Sequence, residues 1–125
     1  MDVIKIDATD ETPKVTLDAG AGVFEFSGKS LPEDVTVFYN PILAWLDEYG
    51  SSPNSSTNVV FKMDYFNTAS SKLILDILMK FEEINEEHDG VTIQWFYLED
   101  DEDMEEAGDE FSDIVDIPFE LKSYS

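Results

Sequence analysis

The sequence lacks cysteine and is poor in basic residues. Its 125 residues contain no Cys, and 7 Lys and Arg stand against 29 Asp and Glu, for a net charge of −22. Because the chain has no thiol group, it can form no disulfide and no thiolate metal site, and it has no cysteine nucleophile. The excess of acids makes binding to nucleic-acid phosphates or to an anionic membrane unfavourable. A protein partner with a basic face is the natural complement of such a chain.

Long apolar stretches are also missing. No run approaches the roughly 20 residues that cross a bilayer, and residues 1–7 lack the apolar core of a signal peptide. We therefore expect a cytoplasmic protein. The sequence has enough apolar material for a core, because 42% of its residues are hydrophobic and 13% are aromatic. This composition and length predict one domain over residues 1–125.

Turn signals divide the first half of the chain into strands and one helix. Apolar alternation predicts three short strands, at 3–6, 14–18 and 23–26. The last of these is expected to end at Ser27-Gly28 and to form an antiparallel hairpin with its predecessor across a Gly-rich turn. A helix is predicted to begin within 31–34 and to end near Gly50. It should kink or restart at Pro41, because proline cannot donate to the carbonyl four residues back.

The second half of the chain alternates strands and helices more regularly. Residues 59–66 are almost continuously apolar, which favours a central strand buried on both faces. A helix over about 69–87 follows, then a strand from Val91, an acidic segment at 99–110 and a final strand near 117–119. Such alternation implies parallel crossover connections. The predicted fold is therefore an α/β domain with a mixed sheet and helices packed on it.

The junction after the strand at 59–66 is the most informative point of the sequence. It places Asn67 and Thr68 at a helix N-terminus, where free backbone N–H groups meet the positive end of the helix dipole. The Thr68 hydroxyl is then either a helix cap or the acceptor of a phosphate group. On the residues alone, the cap is the simpler interpretation.

The helix after Thr68 carries apolar residues on two sides. At 100° per residue, one arc contains the predicted core positions: Ser70, Leu73, Ile74, Ile77, Leu78, Phe81 and Ile84. Leu75 and Met79 fall instead on the polar side, in line with Thr68, Ser71 and Lys72. Exposed apolar residues within a polar rim are typical of docking surfaces. Leu75 and Met79 are therefore predicted to face solvent and to contact a partner, although single exposed apolar residues are common.

Three other features suggest chemistry without completing a site. Asp64 lies four residues before Thr68, where a general base for its hydroxyl would be useful, but no third catalytic partner is visible. The acidic run at 99–110 lacks the bidentate acid of an EF-hand and is expected to be a solvated loop or helix. The single histidine, His88, has no second His or Cys to share a metal. We predict no enzyme activity, no metal site and no cofactor.

The junction sequence Tyr65-Phe66-Asn67-Thr68-Ala69-Ser70-Ser71-Lys72 also carries a family resemblance. Further matching segments extend it over nearly the whole chain, at 12–13, 28–33, 41–45, 95–97, 99–110 and 117–119. With these residues the chain resembles the SiaC-type regulatory phosphoproteins, which are similar in fold to STAS-domain anti-sigma-factor antagonists.

The resemblance implies a bacterial, STAS-like switch domain with no catalysis of its own. In this family, a dedicated serine/threonine kinase phosphorylates the threonine that matches Thr68, and a PP2C-type phosphatase removes the phosphate. The unphosphorylated form binds and activates a diguanylate cyclase. By this resemblance Thr68 is the switch, and Asn67, Ser70, Ser71 and Lys72 surround it. The alternative is an acidic anti-sigma antagonist or nucleic-acid mimic that binds through its charge.

Overall fold

A computed structural model describes residues 2–125. They form one sheet and three helices. The strands are β1 (Ile4–Ile6), β2 (Lys14–Asp18), β3 (Val23–Ser30), β4 (Thr57–Phe66), β5 (Val91–Leu98) and β6 (Phe119–Tyr124). The helices are α1 (Val35–Tyr49), α2 (Thr68–His88) and α3 (Glu102–Ile114). Within this part of the chain, no helix has both the length and the apolar character that crossing a membrane requires.

The strands lie in the sheet in the order of the sequence. β1, β2 and β3 are antiparallel neighbours, whereas β3, β4, β5 and β6 run parallel. A helix joins each parallel pair. Right-handed crossovers that all advance in one direction bring every helix to the same face. The fold is therefore α/β with a mixed sheet, as predicted, and the sheet has a covered face and an open face.

Aromatic side chains line the covered face. Phe26 stacks on Phe61 with ring centroids 4.8 Å apart, and Phe61 stacks on Trp95 at 5.4 Å, so one stack spans three neighbouring strands. Trp95 also meets Phe111 of α3 edge to face at 5.5 Å. Aromatic pairs of this kind add to the free energy gained by burying the rings. The stack ties the middle of the sheet to the last helix.

Both tryptophans lie in the core, and each indole N–H has a hydrogen-bond partner. Trp45 of α1 packs edge to face on Phe24 of β3, and its Nε1–H donates to the carbonyl of Asp2 at 2.6 Å. Trp95 Nε1–H donates to the carbonyl of Met104 at 3.0 Å. Each buried indole therefore leaves no unpaired donor, which would cost about 1–3 kcal/mol.

The strand β3 is longer than predicted. It continues through Ser27 and Gly28 to Ser30, because the pairing with β4 shifts by one residue between Gly28 and Lys29. Gly28 adopts a positive φ of 101°, which a residue without a Cβ accommodates most easily. The shift leaves Asp64 of β4 unpaired as a bulge.

Helix α1 begins later than predicted and is not interrupted. Its first residue is Val35, because Asp34 has an extended backbone and its Oδ1 accepts the N–H of Val37 at 3.2 Å. Residues 31–33 therefore precede the helix. α1 continues through Pro41 rather than restarting there. A single missing N–H removes one hydrogen bond of the ladder, while the buried residues on either side hold the helix on the sheet.

β4 is central but is buried on one face rather than two. Val59, Phe61 and Met63 on its covered side are buried, whereas Lys62 and Asp64 on the other side are exposed. The prediction of two-sided burial was wrong because all three helices pack on the same face. Strand β5 follows the same pattern, with Val91, Ile93 and Trp95 buried.

The acidic run is largely helical. Asp101 caps α3 by accepting the N–H of Met104 at 3.0 Å, and Glu102, Asp103 and Glu105 lie in its first turn. The helix dipole stabilises carboxylates in that position. Among residues 2–125, no group of three or more His, Asp or Glu side chains is placed to hold a metal ion.

Gly108 marks the point where α3 lies closest to the sheet. A Cβ on Gly108 would overlap the Trp95 ring and lie 2.6 Å from Leu121 Cδ2. Alanine is favoured over glycine in a helix by about 1 kcal/mol, but overpacking a core costs about 1–3 kcal/mol. We expect the clash to prevail, so that Gly108→Ala lowers the free energy of unfolding in urea by about 1–2 kcal/mol.

The control for this substitution is Asp109→Ala, at the exposed neighbouring position of the same helix. It gains helix propensity without a clash and should keep or raise the stability. A Gly108→Ala protein as stable as the control would show that α3 does not pack tightly on Trp95.

Candidate functional site

The head of α2 is capped by Asn67. This residue has an extended backbone, and its side-chain Oδ1 accepts the backbone N–H of Ser70 at 2.8 Å. Thr68 is the first helical residue and is exposed, and its hydroxyl takes part in none of the hydrogen bonds found within residues 2–125. The interpretation of Thr68 as the cap is therefore wrong. Thr68 is instead an exposed residue beside free backbone N–H groups.

A buried chain of hydroxyl groups fixes this helix head on the sheet. Ser70 is fully buried, and its hydroxyl donates to the carbonyl of Ser30 at 2.9 Å. The Ser30 hydroxyl donates in turn to Ser70 Oγ at 2.8 Å. Since each hydroxyl has one proton, the phenol of Tyr39 is the donor in its 2.6 Å contact with Ser30 Oγ. The chain joins the end of β3, helix α1 and helix α2.

The same Ser30 carbonyl holds Asn67, the residue before Thr68. It accepts the backbone N–H of Asn67 at 3.1 Å in addition to the Ser70 hydroxyl. Burial raises the pKa of Tyr39, and its hydrogen bond with Ser30 lowers it by less. The raised pKa favours the protonated phenol, which donation from Tyr39 to Ser30 Oγ requires. The head of α2 is thus fixed from below, while Thr68 stays on the surface.

The predicted surface positions of α2 differ in exposure. Lys72 is exposed, and Ser71 donates its hydroxyl to the carbonyl of Thr68 at 2.8 Å. Met79 is 44% exposed, as predicted. Leu75 is half-buried and packs against the core cluster, so the prediction that it faces solvent was wrong. Long helical side chains lean toward the preceding turn, which brings the Leu75 side chain onto its neighbours.

A groove between α2 and α3 adjoins Thr68. It contains one cavity of about 240 Å³, lined by Phe66, Asn67, Thr68, Ser71, Ala107, Glu110 and Phe111. A second cavity of about 310 Å³ is lined by Asp64, Tyr65, Phe66, Asp101, Asp103, Met104 and Ala107. The two share Phe66 and Ala107. They lie at the carboxyl end of β4, the position where open parallel sheets commonly bind ligands.

Sequence reasoning did not find this groove. Its walls come from two segments that are far apart in the chain, and the acidic run by itself predicts a solvated loop or helix. The signal was present in the apolar positions within the acidic run, because Met104, Ala107 and Phe111 lie on one side of α3. In the structure this side faces Phe66 and Trp95. The ring centroid of Phe66 lies 6.2 Å from those of Trp95 and Phe111.

The charges around Thr68 are unequal. No acid lies in the first turn of α2, so the positive end of the helix dipole is not neutralised there. Glu110 of α3 lines the same cavity as Thr68. Lys72 lies one turn further along α2, and none of the ion pairs found within residues 2–125 includes it. A phosphate on Thr68 would thus be favoured by the helix and disfavoured by α3.

Asp64 does not form a catalytic pair with Thr68. The two residues line different cavities of the groove, and no hydrogen bond joins them in the described part of the chain. Asp64 lies near Tyr124 of β6, whose pKa is raised mainly by burial and further by the charges of Asp64 and Asp101. The geometry therefore does not support Asp64 as a general base for the Thr68 hydroxyl.

Comparison with known proteins connects this site to a family. The family described as SiaC family regulatory phosphoprotein matches residues 6–124 of the chain. An uncharacterized protein of Pseudomonas aeruginosa strain UCBPP-PA14 is 26% identical over 124 residues, which are 99% of this chain and 98% of that protein.

Solved structures show the same fold over nearly the full length. SiaC of Pseudomonas aeruginosa matches with a TM-score of 0.90 and 25% identity, over 99% of this chain and 100% of that one. The structure of diguanylate cyclase SiaD in complex with its activator SiaC, from the same species, matches with a TM-score of 0.89 and 25% identity, over 97% and 99% of the two chains. The predicted family resemblance and fold class are confirmed.

Capping by Asn67 rather than Thr68 predicts the effect of two alanine substitutions. Asn67→Ala removes the acceptor for the Ser70 N–H and should lower the free energy of unfolding by about 1 kcal/mol. Thr68→Ala changes an exposed first-turn residue and should stay within about 0.5 kcal/mol of wild type. Urea unfolding measures both, and Asn67→Asp, which keeps the acceptor, is the control. A larger loss in Thr68→Ala would contradict this assignment.

Proposed function

Because the chain belongs to the SiaC family of regulatory phosphoproteins, we propose that it is a phosphorylation-controlled activator of a diguanylate cyclase. The unphosphorylated form binds the cyclase, and phosphorylation of Thr68 ends the association. The protein contributes binding and no catalysis. The observation that carries this proposal is that Thr68 is exposed at the first position of α2, beside a groove, while Asn67 and not Thr68 caps the helix.

The three hydroxyl groups at the head of α2 differ in their availability to a kinase. Ser70 is fully buried and donates its proton to Ser30. Ser71 is half-buried and donates to the carbonyl of Thr68. Thr68 is exposed, and its hydroxyl takes part in none of the hydrogen bonds found in the described part of the chain, residues 2–125. A serine/threonine kinase and a PP2C-type phosphatase therefore reach Thr68 without unfolding the helix, and this residue is the proposed phosphorylation site.

The phosphate acts on the partner more than on the fold. It carries about −1.5 to −2 charges at neutral pH, and the N-terminus of α2 stabilises such a charge by about 0.3–1 kcal/mol. A partner surface that fits a neutral threonine would instead have to bury the dianion without a counter-charge, which costs several kcal/mol. The nearby Glu110 increases this cost. Release of the partner follows, while the domain stays folded.

The proposed docking surface extends from Thr68 along α2. It combines the Thr68 end of the groove with Lys72, the half-buried Leu75 and the exposed Met79. Met side chains adapt their shape to a partner. Because Thr68 lies at one end of this surface, its charge alters the contact without changing the packing underneath.

The first test is the phosphomimetic Thr68→Glu. We expect it to weaken binding to the source organism's diguanylate cyclase most similar to SiaD by tenfold or more, a loss of about 1.4 kcal/mol, and to reduce cyclase activation in parallel. The thermal midpoint should not change, since the site is exposed. Calorimetric titration and the rate of cyclic di-GMP formation measure the two effects. Ser52→Glu adds the same charge in an exposed loop and should bind like wild type.

Two outcomes would count against the proposal. Equal binding by wild type and Thr68→Glu would remove Thr68 as the switch. Binding that falls steeply with salt but ignores Thr68 would support an acidic antagonist that works through its net charge.

The second test addresses the docking surface. Met79→Asp places a charge on an exposed position of α2, and we expect about fivefold or greater loss of affinity for the cyclase with an unchanged thermal midpoint. Val37→Asp on α1 is the matched control, because Val37 is 69% exposed and lies away from the groove. Leu75→Asp should reduce both affinity and stability. Equal affinities for Met79→Asp and Val37→Asp would place the contact elsewhere.

A further inference from the structure

The open face of the sheet gathers the basic residues of the protein. All seven of the basic residues are lysines, and five project from strand positions that alternate with the buried ones: Lys5, Lys14, Lys29, Lys62 and Lys122. Only four of the 29 acids share this face: Asp18, Glu25, Asp64 and Glu120. The open face is therefore close to charge balance, and the helices and loops carry nearly all of the net negative charge.

Three of these lysines form a row across the strands. Lys14 pairs with Ser27, and Ser27 pairs with Lys62. Phe96 pairs with Lys122 and, by continuation of the pairing between β4 and β5, lies beside Lys62. The lysine row (Lys14, Lys62 and Lys122) thus occupies every second strand. Since neighbouring strands are about 4.8 Å apart, its members are spaced at about 10 Å.

Aromatic side chains are interleaved with the lysine row. Phe96 lies half-buried between Lys62 and Lys122, and the Nζ of Lys62 lies 4.3 Å from the centre of the Tyr124 ring. Lys122 has a 3.4 Å contact with the exposed Glu120, an ion pair worth little in water. Within residues 2–125, Lys14 and Lys62 form no ion pair. Aromatic side chains are enriched at protein interfaces, and the lysine charges complement the carboxylates of a partner.

We propose that the open face docks an acidic segment of a partner protein, with carboxylates on the lysine row and apolar side chains on Phe96 and Tyr124. Carboxylates seven residues apart on one side of a helix are separated by about 10.5 Å, and those three residues apart on one side of a polyproline II segment by about 9.3 Å. Either spacing matches the row. The proposal is independent of the Thr68 switch, because Thr68 lines the groove on the side of the helices.

Local charge favours a narrow acidic ligand over a broad one. At about 0.15 M salt the Debye length is about 8 Å, and packed layers lie about 10 Å apart, so dissolved salt weakens the effect of the exposed acids of the helices on the open face. A long DNA duplex or an anionic vesicle extends beyond the sheet and would meet the acidic loops at its rim. A second copy of this chain brings another net charge of −22. A single acidic segment avoids both penalties.

The test uses the full chain and a fluorescein-labelled helical peptide with three glutamates at seven-residue intervals. Fluorescence anisotropy at about 0.15 M salt should show saturable binding, and replacing the glutamates by glutamine should abolish it. Lys62→Gln should weaken binding about two- to fivefold, and the triple variant of the lysine row, each Lys→Gln, should lose it. Lys80→Gln changes the charge equally on α2, where Lys80 contacts Asp47 at 2.6 Å, and should bind like wild type.

Each other outcome overturns the proposal. No saturable binding, or an equal loss in Lys62→Gln and Lys80→Gln, would mean that the lysine row recognises no acidic segment. Tighter lysine-dependent binding to phosphatidylserine vesicles or duplex DNA would assign the face to those ligands. Self-association that the triple variant loses in sedimentation would assign it to a second copy. Thr68→Glu should bind the peptide normally, so failure of the switch and failure of this proposal are distinguishable.

Discussion

Each connection between parallel strands in this sheet advances by one strand in the same direction. Because such connections are right-handed, α1, α2 and α3 all lie on one face, and among residues 2–125 no helix covers the opposite face. The covered face therefore takes the stacked aromatic side chains, and the open face must be compatible with water. The strand order therefore determines two features of the molecule. The groove lies at the carboxyl end of β4 on the side of the helices, and the lysines lie on the open face.

The position of the proposed switch depends on a division of roles at the head of α2. Asn67 provides the cap, Ser70 enters the buried hydroxyl chain with Ser30 and Tyr39, and Thr68 has neither task. Because Thr68 contributes to neither the cap nor the hydroxyl chain, phosphorylation can add charge there without a large change in folding free energy. The rigid support beneath Thr68 holds the added charge where a partner would meet it.

Local periodicity was sufficient to predict the order of strands and helices, the hairpin of β2 and β3, and most core positions of α2. These properties depend on neighbours within one or two turns of the chain. Identifying the capping residue required the side-chain geometry of Asn67. Predicting the half-burial of Leu73 and Leu75 required knowing how the helix packs. One-sided burial of β4, the groove and the lysine row depend on strand register and crossover direction, which no single segment encodes.

The bulge at Asp64 reverses the side of the sheet on which the following residues lie. Upstream, Met63 faces the helices. After the unpaired Asp64, Tyr65 turns outward and Phe66 turns inward, where it contacts Trp95 and Phe111. Removing one residue there would exchange Tyr65 and Phe66 and rotate the start of α2 away from Ser30. The length of this short stretch is therefore more tightly constrained than the identity of its outward side chains, and insertions are better tolerated in the loop at 51–56.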